Sequence, residues 1–109
     1  MNNLNQIIIE GKVSEKPNYK TENLKHCLFV ISVERNYKNS IGEITKEINN
    51  FEIIAYASLA DFSKNLVIGD NVRLIGRLKQ KRWTGSDGKQ YCGVNIVAEH
   101  IEKLGERNV

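Results

Sequence analysis

The segment 71–83 constrains the fold of this chain more than any other part of its sequence. Its side chains alternate with a period of two, which is typical of a β-strand with one buried face. One face carries Val72, Leu74, Gly76 and Leu78, and the other carries Arg73, Ile75, Arg77, Lys79, Lys81 and Trp83. The Asp87-Gly88 pair that follows favours a tight hairpin turn, and the returning strand is predicted over 91–98.

The residues before this hairpin predict three further strands and one helix. The predicted elements are strands over 6–13, 23–37 and 47–57, a turn at Pro17 and Asn18, and a loop over 38–46. The helix is predicted to begin at Ser58, with Ser58 and Asp61 in a capping-box arrangement, and to end at Gly69.

The resulting order is three strands, one helix and two strands. It predicts an all-β fold, a five-stranded Greek-key OB-fold barrel with one short helix between strands 3 and 4. Closing the sheet removes exposed strand edges, which is an advantage for a chain of 109 residues that can bury one modest core. We therefore expect one domain over 1–104 and a short polar tail over 105–109.

The positive charge of the chain is concentrated in one segment. The net charge is only +3, but five cations occur between positions 73 and 82 with no acidic residue among them: Arg73, Arg77, Lys79, Lys81 and Arg82. Such a cluster is typical of a surface that binds a polyanion, and equally of a solvated strand face.

The sequence argues against catalysis, metal binding and membrane insertion. We find no catalytic motif and no metal-ligand spacing, so we expect no enzyme activity, no cofactor and no metal site. Cys27 and Cys92 lie in apolar segments and are predicted to be buried, reduced thiols. The longest apolar runs are too short to cross a bilayer and we read no export signal, so a cytoplasmic protein is expected.

Aromatic residues close to the cations are the candidates for ligand binding. Trp83 directly follows Lys81 and Arg82, an interleaving suited to stacking unpaired bases and neutralising phosphates. Tyr37 and Tyr56 are further candidates, although core packing is nearly as good an explanation for Tyr56. Arg35 is expected to contact phosphate or to pair with Glu34 or Glu52. The remaining rings are assigned to the core (Phe29, Phe51 and Phe62) or to the surface and rim (Tyr19 and Tyr91).

Several blocks of sequence together resemble a known family. They are Ile7–Val13, Asn50–Tyr56, Gly69–Leu78 and Lys81–Thr84, followed by Asp87-Gly88. In this order and at this spacing, the chain resembles the bacterial single-stranded-DNA-binding protein family (SSB) over about 4–104. The resemblance implies an OB fold and a homotetramer that wraps single-stranded DNA without sequence preference.

The resemblance also implies site residues. Tyr37, Tyr56 and Trp83 fall where the family places stacking aromatics, and Asn50 falls where some members carry a further tryptophan. The complete set expected to bind DNA is Trp83, Tyr56, Tyr37, Arg35, Arg73, Arg77, Lys79, Lys81, Arg82 and Asn50.

The expected role is the protection of single-stranded DNA in replication, recombination and repair, in the nucleoid-associated cytoplasm. The printed sequence lacks the acidic tip typical of bacterial members, so binding of partner proteins through a tail is not expected. A dimer is the alternative to a tetramer. Two other functions remain open: a short primosomal-replication-type OB protein that acts mainly through protein partners, and an OB domain that binds another protein or an oligosaccharide.

Overall fold

The computed structural model describes residues 1–105, within which six strands and one short helix occur. The elements are β1 (Ile7–Val13), β2 (Asn18–Lys20), β3 (His26–Lys38), β4 (Ile44–Tyr56), α1 (Ser58–Ser63), β5 (Asn71–Thr84) and β6 (Gln90–Lys103). Apart from Gly105, the predicted tail over 105–109 lies outside the described residues.

The strands form one sheet that closes on itself. The strand order is β1-β5-β6-β4-β3-β2, and β1 also pairs with β3 through Lys12 and Val13, which closes a barrel of five strands. Gly11 permits this closure, because a Cβ there would lie 2.7 Å from the carbonyl oxygen of Ser32. The prediction of an all-β, five-stranded barrel with one helix after the third long strand is confirmed.

The core of the barrel follows from the alternation along the strands. Its buried side chains are Val13, Phe29, Ile31, Ile53, Ala55, Leu66, Val72, Leu74, Ile96, Ala98 and Ile101. Beyond the barrel, β3 and β4 continue as one antiparallel hairpin and β5 and β6 continue as another, with most side chains exposed. The two hairpins therefore project from the barrel with neither face covered by the core.

Two predicted irregular segments were partly wrong. Asn18, predicted to lie in a turn with Pro17, begins β2, which pairs with β3 through Asn18, Tyr19 and Lys20. The loop predicted over 38–46 is confined to 39–43, because the Asn39 side chain accepts hydrogen bonds from the backbone N–H groups of Ile41 and Glu43. Asparagine favours such compact turns, so the strands extend further than predicted.

The last strand was predicted to end too early. It runs to Lys103 instead of Ala98, because β6 continues to pair with β5 as far as Val72. A register shift leaves Glu99 without a partner, since Ile75 pairs with His100 and Gly76 pairs with Ala98. An extra residue of this kind reverses the facing of all later side chains, so Ile101 returns to the core. The reversal breaks the simple alternation on which the prediction depended.

The helix is shorter than predicted and its capping box is wrong. Ala57 is the N-cap with φ 54°, and no side chain caps the helix, which ends at Ser63, before Gly69. Asp61 instead accepts hydrogen bonds from Lys25 Nζ at 2.7 Å and from Tyr19 Oη at 2.8 Å. These contacts join α1 to Tyr19 of β2 and to Lys25, which directly precedes β3. The Asp61 carboxylate is therefore engaged by these two side chains and does not cap the helix.

Three residues assigned to the interior are exposed. Phe51 is paired with the core residue Ile31, but it lies at the edge of the core, where the β3–β4 hairpin leaves the barrel, and it is 37% exposed. Phe62 points away because α1 buries the small residues Ala60 and Ser63 instead. Cys92 lies on the projecting part of β6, and only Cys27 of the two thiols is buried.

Candidate nucleic-acid interface

One face of the β5–β6 hairpin combines rings and cations. The antiparallel register pairs Arg77 with Val97, Lys79 with Asn95, Lys81 with Gly93 and Trp83 with Tyr91. Paired residues point to the same side of a sheet, and this side is opposite to the core residue Leu74. We call these eight residues the cationic face.

Trp83 is the most prominent ring on the cationic face. It is 46% exposed, and its ring lies against Tyr91 with centroids 5.9 Å apart and planes inclined by 20°. The indole lies over Gly93, since a Cβ at Gly93 would be in van der Waals contact with it, 3.4 Å from Trp83 Cζ3. The indole is thus supported on one side by the sheet and remains open to solvent.

Tyr91 belongs to the same site, which sequence reasoning missed by placing it at the surface or rim. Its phenol donates a hydrogen bond to Asp87 Oδ2 at 2.5 Å. This bond lowers the pKa of Asp87 and raises the pKa of Tyr91. The hairpin turn held a signal for the pair, because Trp83 and Tyr91 stand equally far before and after Asp87.

Lys81 connects the cationic face to β4. Its Nζ lies 5.5 Å from the centroid of the Trp83 ring and 3.4 Å from Glu52 Oε1. Both side chains of the ion pair are substantially exposed, so the pair contributes little to folding. Lys81 is therefore available to exchange its carboxylate partner for a phosphate.

The other predicted cations differ in their surroundings. Arg77 and Lys79 are exposed on the cationic face, with no acidic partner within 4.0 Å among residues 1–105. Arg73 lies further along the same side of β5 and is held by Glu10, with Arg73 Nε 2.6 Å from Glu10 Oε1. Arg82 points to the other side of β5, away from the cationic face, and donates a hydrogen bond to Gln80 at 3.0 Å.

Tyr56 and Asn50 lie on the outward side of β4. The parallel register of β4 and β6 pairs Ile54 with Val97, so this side of β4 continues the cationic face. Tyr56 is half-buried, with its ring 6.4 Å from that of His26, and Asn50 is exposed. Tyr91, opposite Trp83, lies six residues before Val97 on β6, and Tyr56 lies two residues after Ile54 on β4. At about 3.3 Å per residue, these eight steps along the strands make a path of roughly 26 Å from Trp83 to Tyr56.

Tyr37 and Arg35 point to the side of the sheet opposite to the cationic face. They pair with Thr45 and Glu47 on the β3–β4 hairpin, on the side that carries Phe29 and Ile31 inside the barrel. Tyr37 is 44% exposed. Glu34 pairs instead with Lys46 at 3.1 Å, and Glu52 with Lys81, so neither expected carboxylate is bound to Arg35. The structure does not bring Tyr37 and Arg35 onto the cationic face of the same chain.

No group of three or more histidine, cysteine, aspartate or glutamate side chains is placed to hold a metal ion among residues 1–105. Over the same residues, no helix has the length and apolar character needed to cross a membrane.

Comparison with known proteins identifies relatives along almost the whole chain. The model of the "Single-strand binding protein family" matches residues 4–104. A single-stranded DNA-binding protein of Aquifex aeolicus is 32% identical over 104 residues, which cover 93% of this chain and 70% of that protein. One from Deinococcus radiodurans is 25% identical over 103 residues, and the match covers only 34% of its length.

Solved structures agree in fold. The small single-stranded DNA-binding protein from Streptomyces coelicolor superimposes with a TM-score of 0.73 at 26% identity, covering 95% of this chain and 96% of that one. A Plasmodium falciparum SSB, solved in complex with single-stranded DNA, gives a TM-score of 0.84 at 20% identity over 96% of this chain and 98% of that one, and shows the shared OB fold. The chain belongs to the single-strand binding protein family.

Proposed function

We propose that this protein binds and protects single-stranded DNA, without enzymatic activity, and that the cationic face is the centre of its DNA contact. The observation that carries this proposal is a row of cations along β5 that ends at a supported, open ring pair, with Trp83 on β5 and Tyr91 on β6. Cations recur at every second residue, about 6.6 Å apart, which is comparable with the spacing of phosphates in an extended single strand. The family is one of DNA-binding proteins and not of enzymes.

The proposed mechanism has two parts. Arg77, Lys79 and Lys81 neutralise phosphates and release counterions, which supplies affinity without reading sequence. Trp83 stacks on a base, and Tyr91 holds the indole in place. Every base has a π-face, so stacking is tolerant of sequence. Duplex DNA keeps its bases paired and stacked, so it gains only the phosphate contacts.

The other residues of the predicted set have more peripheral roles in this proposal. Tyr56 and Asn50 extend the DNA path along β4, and Arg73 extends it along β5 once Glu10 is displaced. Tyr37, Arg35 and Arg82 face other directions, so they would meet a strand that passes around an edge of the sheet or reaches a second subunit.

We further propose a homo-oligomer, with a tetramer as the first expectation and a dimer as the alternative. Half-buried Leu28 and Val30 on the outward side of β3 are consistent with a subunit contact. Residues 1–104 form the DNA-binding domain in this proposal, and the cellular role is in replication, recombination and repair in the nucleoid-associated cytoplasm. The primosomal alternative is not favoured, since the matched relatives bear the name single-stranded DNA-binding protein.

The decisive experiment is a titration with oligo-dT, followed by the fluorescence of Trp83, the single tryptophan of the chain. We expect strong quenching, tight binding at low salt and a steep loss of affinity as salt is raised. A duplex of the same length serves as the control and is expected to bind much more weakly. Failure to bind oligo-dT at low salt, or equal affinity for the duplex, would contradict the proposed function. Mass measurement during the titration distinguishes tetramer from dimer.

A further inference from the structure

Asn95 is a polar residue buried in the middle of the cationic face. It pairs with Lys79 and is only 8% exposed, and its Oδ1 has no hydrogen-bond partner among the described residues. A buried carbonyl oxygen without a partner lowers the stability of a fold, and such atoms are rare in native proteins. The neighbouring outward residue, Val97, shows that an apolar side chain is accepted on the same face. Packing alone does not account for an asparagine at this position.

The surroundings of Asn95 allow it to be uncovered. The parallel register of β4 and β6 pairs Ile53 with Ile96, so Glu52 and Asn95 are the residues that directly precede this pair on the two strands. Lys81 lies opposite Gly93, two residues from Asn95. The Glu52–Lys81 ion pair joins β4 to β5 and therefore passes over β6, on the side of the sheet that carries Asn95. A DNA phosphate competes with Glu52 for Lys81, and its arrival would open this cover. DNA binding would then bring a base edge to the amide.

We propose that Asn95 binds a base edge, with Oδ1 accepting a hydrogen bond from an N–H donor of the base that lies on the cationic face. The inference rests on the proposed function, because it requires single-stranded DNA on this face. Each common base carries at least one N–H donor on the edge that is free in a single strand. Asn95 therefore contributes affinity for unpaired bases without imposing a strong preference among them. In a duplex these donors are occupied by pairing, so Asn95 also disfavours double strands.

The test combines a variant of the protein with a variant of the DNA. Thymine methylated at N3 retains its ring and phosphates but has no N–H donor, so an oligonucleotide of N3-methylthymidine is compared with oligo-dT of the same length. The wild-type protein is expected to bind the methylated strand about two- to tenfold more weakly for each such contact, from the usual strength of a neutral hydrogen bond. Asn95→Leu, which has similar volume and no amide, is expected to bind both strands equally.

Two controls separate this effect from others. Trp83→Phe lowers affinity for both strands but keeps the ratio between them, because the hydrogen bond is intact. Thermal unfolding of Asn95→Leu is expected at an equal or higher temperature than wild type, since an unpartnered buried oxygen is removed. If Asn95→Leu does not fold, Asn95→Ala serves as the second variant.

The outcomes are distinct. If the ratio of affinities for oligo-dT and for the N3-methylated strand is the same in wild type and in the folded Asn95 variant, the role of Asn95 is overturned, even when both proteins bind oligo-dT well. A ratio that disappears only in the Asn95 variants supports it. Absence of any binding to oligo-dT by the wild-type protein overturns the proposed function, and this inference with it.

Discussion

Trp83 and Tyr91 stack across the β5–β6 hairpin, with ring centroids 5.9 Å apart and planes inclined by 20°. Asp87, in the turn between them, accepts a hydrogen bond from the Tyr91 phenol. The turn therefore holds the Tyr91 ring, and the Tyr91 ring supports the Trp83 indole. The pair forms a platform beside Lys81, on a face that continues toward Lys79 and Arg77.

Replacing Trp83 with Ala is expected to weaken binding of oligo-dT by about 1–3 kcal/mol, because one base loses its stacking partner. The measurement is competition against a fluorescent oligonucleotide, since the intrinsic reporter is lost. Phe62→Ala is a suitable control, since this ring is also exposed but lies on α1, outside the cationic face. Equal losses in the two variants would argue against a specific role for Trp83.

The Tyr91 ring is expected to matter more than its hydroxyl group. Tyr91→Phe removes the hydrogen bond to Asp87 and retains the ring, so only a small loss of affinity is expected. Tyr91→Ala removes the support of the indole and should weaken binding of oligo-dT and change the Trp83 emission spectrum of the free protein. The double variant of Trp83 and Tyr91 should lose less than the sum of the single losses, because the residues are in contact. Strict additivity would show that the rings act independently.

Glu52→Gln is expected to strengthen binding of single-stranded DNA at low salt. The substitution frees Lys81 from its carboxylate and removes a negative charge beside the proposed path of the phosphates. The slope of log affinity against log salt should become steeper by up to about one ion, because a displaced Glu52 takes up a cation that offsets part of the counterion release at Lys81. Glu10→Gln, which frees Arg73 at the far end of β5, is the matched control. A larger gain from Glu10→Gln than from Glu52→Gln would move the centre of the interface toward Arg73.

The contact of Asp61 with Lys25 and Tyr19 makes stability depend on pH. The hydrogen bond from Lys25, followed by that from Tyr19, lowers the pKa of Asp61 in the folded protein. A depressed carboxyl pKa stabilises the fold above the unfolded value of about 3.9, and this stabilisation disappears as pH falls through the lower folded value. Asp61→Asn should therefore be less stable than wild type near pH 7.

The measurement for Asp61 is urea unfolding at several pH values. The difference between wild type and Asp61→Asn should shrink below about pH 4, where the carboxylate becomes protonated. Glu99→Gln provides the control, since Glu99 is exposed and unpaired in the sheet register. A difference for Asp61→Asn that is constant from pH 7 to strongly acidic conditions would show that the charge of Asp61 is not responsible.

The sequence by itself determined which residues share a face within each strand. Alternation along 71–83 placed Arg77, Lys79, Lys81 and Trp83 on one side, and the same rule assigned Phe29 to the core. It also determined the barrel, because the order of elements and the chain length leave few ways to bury those faces. These features depend on neighbours in the chain, so a local pattern encodes them.

The tertiary structure decided which residues meet across strands. The pairing of Trp83 with Tyr91, the ion pair of Lys81 with Glu52 and the burial of Asn95 all depend on register between strands. The bulge at Glu99 and the sharing of Asp61 between Lys25 and Tyr19 likewise depend on contacts between distant segments. The hairpin turn brings Trp83 and Tyr91 together locally, whereas closure of the barrel sets the other contacts. A shift of one residue in strand pairing would move each side chain to the other side of the sheet, so no local pattern in the chain specifies those contacts.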